Sequence, residues 1–77
     1  MTSAYVLIKA EMKDSVVDLL ERLEKVNGVR EVHSISGAHD IIAYIEAETE
    51  NELRKVVTYG VRRIDGVMET QTLPIVE

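Results

Sequence analysis

One structural pattern occurs twice within the 77 residues of this sequence. Residues 20–31 and residues 59–69 each contain the end of an amphipathic helix, a stop at Asn-Gly or Asp-Gly, and the start of a strand. An apolar strand segment precedes each helix. Two βαβ halves in so short a chain predict one two-layer domain over residues 1–77. The repeat does not account for the link between the halves, Ser36–Asp40, which is therefore the first candidate for function.

Apolar periodicity predicts four strands and two helices. The expected strands are Ala4–Ala10, Val29–Ile35, Ile41–Ala47 and Val67–Leu73; the first helix runs from an N-cap at Ser15 to about Val26, and the second follows a capping box at Thr49–Glu52. Right-handed crossovers in the order βαββαβ give an α+β, ferredoxin-like fold, in which a four-stranded antiparallel sheet carries both helices on one face. The polar strand Val29–Ile35 is expected at a sheet edge. Gly60, which lies in the apolar stripe of the second helix, indicates a close approach to the sheet.

The first and third strands are apolar on both faces, although two helices can cover only one face of the sheet. Depending on strand register, the uncovered face carries Tyr5 and Leu7 with Ile42 and Tyr44, or the opposite set. An exposed apolar patch of this kind usually marks an interface. A chain of this length without cysteine also gains stability from a partner. We therefore expect a homodimer formed by packing the uncovered sheet faces together.

Charge and composition argue against several classes of function. With 14 acidic and 9 basic residues the net charge is −5, so direct DNA binding is not expected. The sequence has no transmembrane stretch, no signal-peptide pattern and no cysteine, which fits a cytoplasmic protein that does not associate with membranes. No nucleophile–base constellation is visible, and His33 and His39 lack a third metal ligand at suitable spacing. Neither an enzyme nor a bound metal or cofactor is predicted.

Several segments together resemble the effector-binding domain of the Lrp/AsnC family of transcriptional regulators, also called the RAM domain. They are the opening strand 4–10, Val26–Val29 with Glu31-Val32, Ile35–Ile41, Ile64–Val67 and Thr70–Thr72. The most diagnostic piece is Gly37-x-x-Asp40 between the two repeat halves. Members of this family usually carry an N-terminal helix-turn-helix, which this sequence lacks. The sequence therefore resembles the stand-alone members, which consist of the RAM domain alone. The resemblance implies dimerisation through the sheets, rings of dimers (often octamers) and a free amino acid bound between dimers. Our functional hypothesis adds that the chain modulates a full-length Lrp/AsnC regulator by co-assembly.

The predicted ligand-binding residues are Ser36, Gly37, Ala38, His39 and Asp40 in the link, with Thr70 and Thr72 in the last strand. Gly37 lets backbone N–H groups approach a carboxylate, Asp40 can pair with an ammonium, and the two threonines can add hydroxyls. Simpler interpretations stay open. Gly37 supplies a positive φ for a turn, Asp40 caps that turn, His39 is a solvated loop residue, and the threonines are ordinary strand residues.

Two other classes share this topology. A small dimeric α/β-barrel enzyme usually has an aromatic or His-lined cavity between sheet and helices, whereas the helix faces here are aliphatic and the chain has three Tyr, no Phe and no Trp. An ACT-like regulatory module usually has a Gly-rich turn after its first strand, whereas residues 11–14 contain no glycine. An amino-acid-binding regulatory domain is therefore the preferred interpretation.

Overall fold

The computed structural model describes residues 1–11 and 15–76 of the chain. Its strands are β1 (Thr2–Ala10), β2 (Val29–Ser34), β3 (Ile41–Ala47) and β4 (Val67–Pro74), and its helices are α1 (Val16–Glu24) and α2 (Glu50–Lys55). A π-helical segment, Val56–Gly60, and a 3₁₀ turn, Val61–Arg63, continue α2. The order predicted from the sequence is confirmed, and each strand begins and ends within two residues of its predicted position. Residues 12–14 of the predicted turn after β1 lie outside the described residues.

The sheet has the order β2-β3-β1-β4, and every neighbouring pair is antiparallel. β1 and β3 occupy the centre because both of their faces are apolar, while the polar strand β2 lies at an edge as predicted. Apolar residues of both helical segments, including Leu19, Leu23 and Leu53, pack into one core with the sheet. Both crossovers therefore cover the same face, which confirms the ferredoxin-like α+β fold.

The strand register decides which apolar set faces the helices. Val6 pairs with Ala43 and Ile8 with Ile41, and all four side chains are fully buried on the helix face. Tyr5 pairs with Tyr44 and Leu7 with Ile42 on the opposite face. The first of the two sets left open by the sequence therefore forms the uncovered surface, which we call the open face.

The helix ends follow the local sequence. Ser15 Oγ accepts a hydrogen bond from the Val17 N–H at 3.2 Å, and Thr49 Oγ1 accepts one from the Glu52 N–H at 3.1 Å. These caps satisfy donors that have no partner within the helix. α1 ends at Glu24, two residues before the predicted end, and the chain reverses through Gly28 at φ 104°.

The close approach predicted at Gly60 is real, but its partner is not the sheet. A Cβ atom at Gly60 would lie 2.5 Å from Val26 Cγ1, in the connection between α1 and β2. A Cβ at Gly28 would similarly lie 2.8 Å from Val56 Cγ2. Two glycines thus allow the π-helical segment to contact the end of the first βαβ half, and this contact joins the two repeat halves beside the sheet.

Candidate functional site

The link Ser36–Asp40 is a short connection whose base is fixed by backbone hydrogen bonds. The Ile35 N–H donates to Asp40 O at 2.8 Å, and the Asp40 N–H donates to Ile8 O at 2.9 Å. Residues 36–38 at its tip are exposed, and His39 is partly buried. The two antiparallel strands that flank the link therefore hold an accessible tip at one end of the sheet.

Asp40 has a structural role that the sequence did not reveal. Its Oδ2 accepts a hydrogen bond from the Ala10 N–H at 2.8 Å, at the point where the register between β1 and β4 shifts. The carboxylate therefore stabilises the backbone of a neighbouring strand rather than the turn itself. Its Oδ1 has no hydrogen-bond partner among residues 1–11 and 15–76. One carboxylate oxygen thus has a structural partner, and the other is available to a ligand.

Gly37 adopts φ 131°, a conformation that favours glycine. A Cβ atom built on Gly37 would meet no atom within 4 Å. The turn therefore needs glycine for its backbone conformation and not for lack of space. Because the space beside this residue is open, a ligand can approach the main chain of the link.

Lys9 is a candidate residue that sequence reasoning missed. It precedes the end of β1, and its Nζ lies 3.5 Å from Ala38 O in the link. The distance allows only a weak hydrogen bond, but it brings an ammonium group to the site. The available signal was positional, since the end of β1 lies beside the start of its antiparallel neighbour β3, and the link leads directly into β3.

The structure places Thr70 and Thr72 apart from the link. They pair with Ile8 and Val6 and therefore lie on the helix face of β4. Because Ile8 also pairs with Ile41, Thr70 is two strands, or roughly 10 Å, from the start of β3. Both threonines line a groove of about 460 Å³ between α2 and β4, to which no link residue contributes. Within one chain, the seven predicted residues thus form two groups on different surfaces.

A second, larger cleft of about 730 Å³ lies near the start of β2 and the end of β3. Its polar wall includes an ion pair between Arg30 Nε and Glu46 Oε1 at 3.1 Å. The Tyr44 hydroxyl donates to the other Glu46 oxygen at 3.2 Å. These side chains satisfy one another, so they form a structural network at this cleft.

The open face is an apolar strip with a polar margin. The Tyr5 and Tyr44 rings lie 5.3 Å apart between centroids and are tilted by 50°. Tyr5 remains 44% exposed and Leu73, its partner on β4, 42% exposed. At the margin, His33 Nε2 lies 3.3 Å from Glu31 Oε1. The face thus has an apolar centre and a charged edge, the pattern of a protein interface.

Helices long and apolar enough to cross a membrane are absent from the part of the chain that the structure describes.

The curated relatives of this chain include a regulator and an enzyme. The HTH-type transcriptional regulator PF0250 of Pyrococcus furiosus is 34% identical over 74 residues, which cover 94% of this chain and 49% of the regulator. Homocitrate synthase of Saccharolobus solfataricus is 33% identical over 69 residues, 90% of this chain and 15% of the enzyme. The chain thus spans about half of the first relative and a small part of the second.

Solved structures show the same fold. The protein TTHA0845 of Thermus thermophilus is 34% identical, with a TM-score of 0.90 over 100% of this chain and 95% of that chain. A transcriptional regulator of Neisseria meningitidis, solved in complex with L-Met, is 17% identical, with a TM-score of 0.87 over 99% of this chain and 50% of that one. At that lower identity the likeness concerns the fold alone.

The family model described as the Lrp/AsnC ligand binding domain matches residues 3–77. This match includes every strand, both helices and the link, and the 34% identity to a regulator agrees with it. The resemblance drawn from the sequence is therefore confirmed, and the chain belongs to the Lrp/AsnC ligand-binding domain family.

Proposed function

We propose that this chain is a cytoplasmic regulatory domain that binds a free amino acid and assembles through its open face. The observation that carries the proposal is the charge arrangement at the link. Lys9 Nζ lies 3.5 Å from Ala38 O, the residue after the accessible Gly37, and Asp40 at the base of the link has one carboxylate oxygen without a hydrogen-bond partner among the described residues. A zwitterionic ligand needs groups of both signs and a close approach to the main chain.

Each part of a free amino acid then has a partner. Lys9 and the backbone N–H groups at the tip of the link receive the ligand carboxylate, and Asp40 receives its ammonium. Ser36, Ala38 and His39 form the rest of the contact surface. Because the tip is exposed, a neighbouring dimer completes the site around the ligand's side chain. Thr70 and Thr72 lie too far from the link of the same chain to contact this ligand.

The comparisons support a ligand-binding module that accompanies different activities. Similar segments make up half of a transcriptional regulator and 15% of a homocitrate synthase. A unit shared by a regulator and an enzyme is better explained by a common binding role than by catalysis or DNA contact. The Neisseria regulator with the same fold was solved as a complex with L-Met, which agrees with an amino acid as ligand.

Dimerisation is proposed through the open face. Tyr5, Leu7, Ile42, Tyr44 and Leu73 are exposed or partly buried there, and fully burying a large apolar side chain stabilises by about 1.5–3 kcal/mol. Pairing two open faces removes both apolar strips from water and leaves the links at the ends of the dimer. Contacts between those ends then build a ring of dimers, with an octamer as the expected size.

Regulation is proposed to act through assembly and not through direct DNA contact. The acidic net charge of −5 disfavours a DNA surface. A full-length Lrp/AsnC regulator with a similar open face can pair with this chain, and the shared ring then responds to the amino acid. Co-purification of the chain with a full-length regulator from the same organism, and its loss in an open-face variant, tests this step.

A thermal-shift screen of the proteinogenic amino acids tests the binding function. A ligand at 100 times its dissociation constant stabilises the folded state by about 2.7 kcal/mol. For a domain of this size, 1 kcal/mol corresponds to about 4–8 °C in Tm, so the shift is easily measured. The D-enantiomer of the best ligand is the matched control, because it carries the same charges. No shift with any amino acid, or equal shifts with both enantiomers, contradicts the proposal.

A further inference from the structure

The groove between α2 and β4 differs in chemistry from the link. Its floor is formed by Leu53 and Val57, both buried, and its volume is about 460 Å³. One wall is the helix face of β4, which carries Thr70 and Thr72. The residues paired with them on β1 are aliphatic, namely Ile8 and Val6. The helical layer covers β1 and β3 and leaves this part of β4 accessible. The groove therefore combines an apolar floor with a row of hydroxyl groups.

The opposite wall is cationic. Arg54 of α2 and Arg62 of the 3₁₀ turn both line the groove. Neither guanidinium has a carboxylate oxygen within 4.0 Å among the described residues. In a chain with 14 acidic and 9 basic residues, two arginines thus line one apolar depression. Among the described residues of the lining, Glu50 is the single acidic one, so these residues give the groove a net positive charge.

The shape of the helical segment contributes to this arrangement. Val57 and Thr58, which also line the groove, belong to the π-helical segment Val56–Gly60. Such widened turns are often found at functional sites. The groove lies on the helix side of the sheet, so pairing through the open face leaves it accessible.

We propose that this groove binds a small monocarboxylate with a short branched apolar tail. The carboxylate accepts hydrogen bonds from Arg62 or Arg54 and from the hydroxyls of β4, and the tail packs on Leu53 and Val57. The excess of one positive charge favours a monoanion over a zwitterion, because an added ammonium group meets two guanidiniums and only one carboxylate. The groove and the link therefore select different ligands.

Three probes of nearly identical shape separate charge from shape: 4-methylpentanoate, its neutral amide 4-methylpentanamide, and leucine. Binding is followed in the full assembly through methyl-labelled Leu and Val signals at low salt, where exposed ion pairs are less screened. 4-Methylpentanoate should shift the Leu53 and Val57 methyl signals saturably at millimolar concentration. The amide and leucine should bind the groove at least fivefold more weakly.

Arg62→Gln should weaken 4-methylpentanoate binding roughly fivefold, because an exposed ion pair contributes up to about 1 kcal/mol. Arg63→Gln is the matched control, since Arg63 lies over the Tyr59 ring, 5.4 Å from its centroid, and does not line the groove. Three results would each overturn the proposal: equal binding of the acid and the amide, equal losses of affinity in the two variants, or no saturable shift of the Leu53 and Val57 signals. Signals near the link report amino-acid binding separately, so either site can fail without the other.

Discussion

Replacing Tyr5 by glutamate should separate the dimer into folded monomers. Tyr5 is 44% exposed within one chain, and its main side-chain contact on the open face is the Tyr44 ring at 5.3 Å. Losing an aromatic pair costs about 0.5–1.5 kcal/mol. A glutamate at this position in a monomer keeps its carboxylate in water, so the fold should survive.

The same substitution is far more costly in a dimer. Two-fold pairing of open faces places one new carboxylate from each protomer in an apolar contact. Burying an ion costs several kcal/mol even after relaxation. Taking about 3 kcal/mol for each carboxylate, the dimer loses about 6 kcal/mol, which raises its dissociation constant by roughly four orders of magnitude.

Sedimentation equilibrium measures the effect, with circular dichroism as the test of folding. The control is Val17→Glu, which adds the same charge at an exposed apolar residue of α1, away from the open face. Val17→Glu should sediment like the wild type, and Tyr5→Glu should give a folded monomer of 8.7 kDa. If Tyr5→Glu retains the wild-type mass, the open face is not the dimer interface. A monomeric wild type at micromolar concentration refutes the dimer itself.

Two glycine substitutions should destabilise the chain for different reasons. Gly60→Ala gains about 1 kcal/mol of helix propensity, but its new Cβ overlaps with Val26 Cγ1 at 2.5 Å. We therefore expect a net loss of about 1–2 kcal/mol in the free energy of unfolding, measured by chemical denaturation, and adding Val26→Ala should largely restore it. An unchanged or higher stability of the single variant would show that the contact is not tight. Gly37→Ala meets no atom but must adopt φ 131°, so it should lose about 1–3 kcal/mol without any rescuing partner, and an unchanged denaturation midpoint would show that the link relaxes freely.

The fold was predictable because several local signals agree. Alternation of apolar residues predicts the strands, the Thr49 cap predicts the start of α2, and Gly28 predicts the turn that follows α1. The polarity of β2 indicates its edge position. The register could not be chosen from alternation, since both faces of the central strands are apolar. The structure suggests the missing criterion. Alanines such as Ala4 and Ala43 face the helices, where packing is close. Tyr44 faces outward, where its hydroxyl donates a hydrogen bond to Glu46.

The candidate site was less predictable because its contacts join distant residues. The hydrogen bond from the Ala10 N–H to Asp40 spans 30 positions, and no local pattern indicates it. Likewise, Thr70 and Thr72 lie on one face of β4, but the pairing with β1 turns that face toward the helices and away from the link. The π-helical segment also has no clear signal in the sequence. Side-chain chemistry was thus predictable, and the grouping of those side chains was not.

Calorimetry of amino-acid binding to the wild type and to Asp40→Asn tests the central claim most directly. Asparagine keeps an oxygen that can accept the hydrogen bond from the Ala10 N–H, so the link should stay folded while its negative charge is lost. We predict that at least one amino acid binds the wild type at millimolar concentration or below. We also predict that Asp40→Asn binds it about 10- to 100-fold more weakly, because a charged hydrogen bond contributes about 1.5–3 kcal/mol. Equal affinity in the two proteins would reduce Asp40 to a structural residue, and no binding of any amino acid to the wild type would contradict the account.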